Sequence, residues 1–171
     1  IQHAGLAACP KHFAANNQET NREHNDSRVS ERALREIYLR GFEICVTAAA
    51  PRTIMTSYNK INGTWGHYHH DLVTTVLRGE WGFTGAVMTD WWLREATDPD
   101  FPALRNDAYR VRAQVDVNMP GAWGRDVQTG DGSLLESLGA PDGITLGELQ
   151  RTARNVLRLV LAVRAGQRRT G

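Results

Sequence analysis

Four short apolar runs constrain this chain more than any other feature: "GLAAC" (5–9), "RTIMTSY" (52–58), "GAVMTD" (85–90) and "QVDVNM" (114–119). Each is continuous and bounded by turn residues, the pattern of a strand buried on both faces of a parallel sheet. Helical patterns fill the intervals. Residues 28–49 carry Val29, Ala33, Ile37 and Ile44 near helical spacing, with arginines and glutamates between them. Residues 71–79 predict a shorter helix, with Asp71 as N-cap before Leu72, Val73, Val76 and Leu77. Residues 104–113 predict another. Thr145 and Glu148 have capping-box spacing, and Leu149, Ala153, Val156, Leu157 and Val160 follow on one helical face. The stretch 124–133 is rich in glycine and reads as a mobile loop, and the polar tail from Gly166 is expected to fray. Strand–helix alternation predicts an α/β fold of parallel β/α units. Four units are half of an eight-unit barrel, and a small open sheet satisfies the same pattern.

Composition removes several function classes. A net charge of +1 gives no electrostatic footprint for nucleic acid or an anionic membrane. No apolar run reaches the roughly 20 residues that span a bilayer. Cys9 and Cys45 form no disulfide framework. They read as small core residues, which leans towards a reducing, cytoplasmic compartment. The chain lacks a starting Met and runs almost at once into an apolar segment, which reads as a piece of a longer protein. Any targeting segment would then lie upstream.

In parallel α/β folds the chemistry sits at the C-terminal ends of the strands. Lys11 and His12 follow the first run, Met55 and Tyr58 end the second, Asp90 with Trp91 and Trp92 ends the third, and Asn118 and Met119 end the fourth. Charged and hydroxyl groups beside aromatic faces suit a sugar, whose hydroxyls need partners and whose ring has an apolar side. Taken singly each has a plainer reading. Asp90 could cap a turn, the tryptophans could be core, Tyr58 a satisfied core residue, and Lys11 and His12 ordinary loop residues. Their joint placement carries the argument. His67, His69 and His70 in "GHYHHD" have neither an HExxH pattern nor a cysteine partner, so they read as a solvated loop and no metal is expected.

Five ordered motifs then carry a resemblance: "KHFAANNQETNR" (11–22), "SERALREIYLRGFE" (30–43), "MTSYNKING" (55–63), "LRGEWGFTGAVMTDW" (77–91) and "DVNMPG" (116–121). Together they resemble the family 3 glycoside hydrolases of the β-glucosidase type. The stretch "LGELQRTARNVLRLVL" (146–161) is similar to the end of members whose barrel domain comes last. The resemblance implies roughly the second half of a (β/α)8 barrel: residues 1–123 as partial barrel carrying the nucleophile, 124–144 as loop, and 145–171 as closing helix with a polar tail.

It also implies a retaining, exo-acting glycosidase without cofactor. Asp90, the aspartate of the "[ST]DW" motif, would attack the anomeric carbon. Lys11 and His12 would bind hydroxyls of the −1 sugar, Met55 and Tyr58 would line the site, and Trp91 would shape the pocket. Trp92 stands where the family often has Gly. In the β-glucosidase branch the acid/base glutamate lies on a separate α/β sandwich domain. In the N-acetylglucosaminidase branch a histidine in a "KHFPGHG"-like stretch does that work, and "KHFAANNQE" departs from it. Glu19, Glu43 and Glu80 look structural. The implied partners are a β-glucoside or oligosaccharide substrate, and either the remainder of the parent or a second copy of the chain. The competing expectation is a non-catalytic half-barrel, inactive alone, that serves in binding or assembly.

Overall fold

The structure, a computed structural model, describes residues 1–91, 104, 106–119 and 132–170. Trp92 and residues 124–131 of the expected loop lie outside the described residues. The central pair is β2 (Thr53–Met55) and β5 (Ala86–Met88), parallel, with Thr53 opposite Ala86 and Met55 opposite Met88. The first apolar run lies along the free side of β2. Thr53 N donates to Ala8 O (3.3 Å), Met55 N to Pro10 O (3.2 Å), and Phe13 N to Met55 O (2.8 Å). The fourth run lies along β5, where Asp116 N donates to Val87 O (2.8 Å) and Thr89 N to Val117 O (3.0 Å). Four parallel segments therefore stand side by side in chain order. The first is shifted from 5–9 to 8–13 and makes only an isolated bridge, Phe13 to Thr56. Pro10, within it, has no N–H to give to a ladder.

The helices cover the sheet, with one departure from the 3.6-residue pattern. Between α1 (Glu31–Ala33) and α2 (Arg40–Ala49), residues Leu34–Tyr38 wind as a π-helix, and Leu39 N bonds to Leu34 O. The extra residue per turn puts Leu34 and Leu39 on one face, and Val46 follows two ordinary turns later. Those three are buried, whereas Ile37 and Ile44 face outward at 67% and 50% exposure. The expected 3.6-residue stripe is corrected for this reason. Residues Asp71–Glu80 are also π-helical. Asp71 does not cap them: His70 is the terminal residue, with no side-chain cap, and Leu72 N instead donates to His69 Nδ1 (3.4 Å).

The remaining elements are α3 (Asn106–Arg112), α4 (Ser133–Ser137) and α5 (Leu146–Thr170). The capping box of α5 forms as predicted. Glu148 N donates to Thr145 Oγ1 (3.2 Å) and Thr145 N to Glu148 Oε2 (2.7 Å). α5 continues into the tail expected to fray, as far as Thr170, and crosses the N-terminal turn. A Cβ on Gly166 would lie 2.7 Å from Gly5 Cα, so the two backbones touch where only glycine fits. α4 gives a turn of helix to the stretch expected as loop.

A second small sheet joins β1 (Asp26–Ser27), β3 (Lys60–Ile61) and β4 (Thr64–Trp65). Its hairpin turns on Asn62 and Gly63, both at positive φ (51° and 98°), the conformation that a two-residue Asn-Gly turn demands. One core cluster fills the space between sheet and helices, with Phe13, Leu34, Ile54, Val73, Leu77 and Val87 at its centre. The other gathers Tyr68, Leu104, Tyr109 and Ile144. His67 is 1% exposed and stacked against Trp65, so it belongs to packing and not to a solvated loop. Cys45 is exposed and Cys9 only partly covered, so neither is a core residue.

Candidate active site

The three strand ends on which the prediction rests do converge. Asp90 lies two residues beyond β5 and is 7% exposed. Its Oδ1 accepts from Trp91 N at 2.8 Å, which fixes the carboxylate at the mouth of the strand. Its Oδ2 lies 3.2 Å from His12 Nε2. Tyr58, 4% exposed on the segment after β2, makes a side-chain hydrogen bond to the same carboxylate. First, second and third strand ends thus each give one group to one carboxylate.

The electrostatics follow from burial. Desolvation lowers the His12 pKa from its ordinary 6.5 and outweighs the opposing pull of the Asp90 charge; Lys11 and Arg22 add to the lowering. His12 is therefore neutral at pH 7. Burial also raises the Tyr58 phenol, and the Asp90 charge raises it further. Tyr58 stays protonated and donates. The Asp90 carboxylate thus meets the Trp91 N–H, the Tyr58 hydroxyl and the His12 imidazole, an arrangement that suits a nucleophile.

Met55 is 7% exposed and anchors the loop after the first strand through its carbonyl bond to Phe13. Lys11 is exposed on the rim, one residue from His12. Trp91 enters through its backbone N–H. The fourth strand end is tied to the third, since Met119 N donates to Thr89 Oγ1 (2.9 Å), while Asn118 turns to Asp107 (2.8 Å).

Arg22 is the residue that sequence reasoning missed. Its guanidinium lies 4.7 Å above the centre of the Tyr58 ring and is held by Glu19 at 2.6 Å. It sits on an aperiodic loop, so only its place in the "KHFAANNQETNR" motif signalled it. Glu43 pairs with Arg40 (2.8 Å), and Glu80 pairs with Arg35. Among the described residues no group of three His, Cys, Asp or Glu side chains gathers as metal ligands.

Parallel strands that gather a buried carboxylate, an imidazole and a phenol at their C-terminal ends define an α/β domain of parallel β/α units with a carboxylate-centred site. Comparison makes this particular. Residues 1–159 match the family described as "Glycosyl hydrolase family 3 N terminal domain", and the chain belongs to that family. It is 46% identical over 171 residues to a beta-glucosidase of Ruminococcus albus, covering all of this chain and 18% of that protein. It is 43% identical over 166 residues to an exo-alpha-(1->6)-L-arabinopyranosidase of Bifidobacterium longum, covering 96% and 20%. Beta-glucosidase 3B from Thermotoga neapolitana, solved in complex with glucose, superposes with a TM-score of 0.79 at 39% identity, covering 95% of this chain and 22% of that one. The chain spans about a fifth of the length of these relatives.

Proposed function

We propose that this chain carries the nucleophile and part of the −1 subsite of a retaining exo-β-glucosidase. The carrying observation is Asp90, buried beyond β5 and held by Trp91 N–H, Tyr58 and His12. One Asp90 oxygen attacks the anomeric carbon as the glycosidic C–O bond breaks. The leaving oxygen takes a proton from an acid outside this chain, and a glycosyl ester remains on Asp90. Water, deprotonated by the same outside group, attacks the anomeric carbon, and the bond from that carbon to the Asp90 oxygen breaks to release the sugar and the free carboxylate. The two carboxyl groups of such a pair stand about 5–5.5 Å apart. Neither cofactor nor metal enters these steps. Lys11 and His12 meet sugar hydroxyls, Met55 and Trp91 wall the pocket, and residues 1–123 form its platform with 145–171 as the closing helix.

The test is made in the full-length parent. Asp90→Ala abolishes turnover of an aryl β-glucoside, and azide restores it with formation of an α-glycosyl azide, because a small anion takes the place of the lost carboxylate. Unchanged turnover in the alanine variant refutes the assignment. The arabinopyranosidase relative supports a second reading of the sugar alone, so an aryl α-L-arabinopyranoside belongs in the same assay.

A further inference from the structure

The loop that carries His12 and Arg22 also borders a second cavity of about 310 Å³. None of Asp90, His12, Tyr58 or Lys11 lines it, so it is separate from the site above. Its lining includes the apolar Ala15 and Val29 and the aromatic Tyr38. The rest of the lining is polar: Asn17, Gln18, Asn25, Ser27 and Arg28.

The hydrogen-bonding capacity of these polar residues is largely unspent. The Asn17 amide and the Tyr38 hydroxyl take no hydrogen bond among the described residues. Gln18 spends its Nε2 on Thr20 O (2.8 Å) and Asn25 its Nδ2 on Ser27 Oγ (3.2 Å), which leaves both amide oxygens as acceptors. Arg28 is neutralised by Asp26 at 2.7 Å, so the cavity has no spare cation for an anionic ligand. The frame is fixed. Ser27 Oγ donates to Ala15 O (2.8 Å), and Asn62 exchanges two hydrogen bonds of 2.9 Å with the backbone of Val29.

Neutral donors and acceptors that share one cavity with an aromatic ring match a sugar ring, with hydroxyls on its edge and C–H groups on its face. The volume is at the lower end of ligand pockets, which begin near about 300 Å³, so it holds one ring and not a chain. We infer that this cavity is a second saccharide-binding site, which takes one neutral pyranose unit away from the catalytic pocket. That the unit comes from the enzyme's own glucan-type substrate rests on the function proposed above; the neutral, ring-lined chemistry does not.

The experiment is calorimetric titration of the full-length Asp90→Ala parent with cellotriose. Two binding sites are expected. Adding Tyr38→Ala reduces them to one, and adding Asn17→Ala instead weakens the second site about tenfold, the effect of one lost hydrogen bond. Both side chains reach solvent, so neither variant threatens the fold. A titration that Tyr38→Ala leaves unchanged, in number of sites and in affinity, overturns the inference. Failure of the wild-type parent to hydrolyse an aryl β-glucoside would strike the glucosidase reading instead, and the stoichiometry would still decide the cavity.

Discussion

At the scale of single residues, the candidate site sets the Trp91 N–H, Tyr58 and His12 against the Asp90 carboxylate. Tyr58→Phe removes a donor from Asp90 and keeps the ring beneath Arg22, while Lys11→Ala removes a rim cation. Each should lower kcat/KM of the parent by about two powers of ten or more, the loss typical of one electrostatic contact to the reacting centre. Near-wild-type kinetics in both variants would return these residues to packing and solvation. His12 predicts a pH effect with a definite sign. Burial holds its folded pKa below the ordinary 6.5, so under acid the unfolded chain binds more protons at this residue. The stability that neutral His12 contributes is whole above pH 6.5 and is lost as pH falls through the folded value. His12→Gln keeps a donor but cannot titrate. The Tm advantage of wild type over this variant should therefore shrink between about pH 7 and about pH 5; a constant difference would contradict the assignment. The residues at strand ends were legible in the sequence because each follows an apolar run. Arg22 was not, because no periodicity places a loop residue over an aromatic ring.

At the scale of elements, one buried ion pair joins four segments. Asp116, with a fully buried side chain, accepts from Arg78 Nη2 (2.6 Å), Val87 N (2.9 Å) and Asn155 Nδ2 (3.0 Å). Arg78 also donates to Gly85 O (3.0 Å) and Gln114 O (3.1 Å). The fourth strand, β5, the helix before it and α5 are thereby fixed in one register. Burial raises the Asp116 pKa and lowers that of Arg78, since both charges are largely out of water. Asp116→Asn turns an acceptor into a donor facing donors, and it should cost about 3–5 kcal/mol, read as a large fall in denaturation midpoint. A variant as stable as wild type would show that the pair contributes nothing net. Existence and order of the elements could be read from pattern, but their faces could not where winding departs from 3.6 residues per turn. That is why Ile37 and Ile44 looked internal and are not. The Asn62–Gly63 hairpin was a readable signal that the apolar runs on either side are too short to advertise.

At the scale of the whole molecule, α5 presents a second apolar stripe. Leu157, Val160 and Leu161 remain exposed while other positions of the helix face β5 and α3. Ile37 and Ile44 are exposed as well. Faces of this kind are seldom left wet. The 171-residue chain alone should therefore associate with itself or with the rest of its parent, and it should not turn over an aryl glucoside without an added acid. Light scattering and the glucoside assay on one sample check both statements; a well-folded, hydrolytic monomer would refute them.

The convergence of three strand ends on Asp90 has a kinetic consequence. His12, Tyr58 and Asp90 are distant in sequence and meet only when the first run, β2 and β5 are all paired. Helices close by local contacts within about a microsecond, whereas parallel pairing must first close long loops. Refolding chains thus regain α5 early and the carboxylate's cage late, and any perturbation that loosens strand pairing extinguishes the site while most of the helical signal persists.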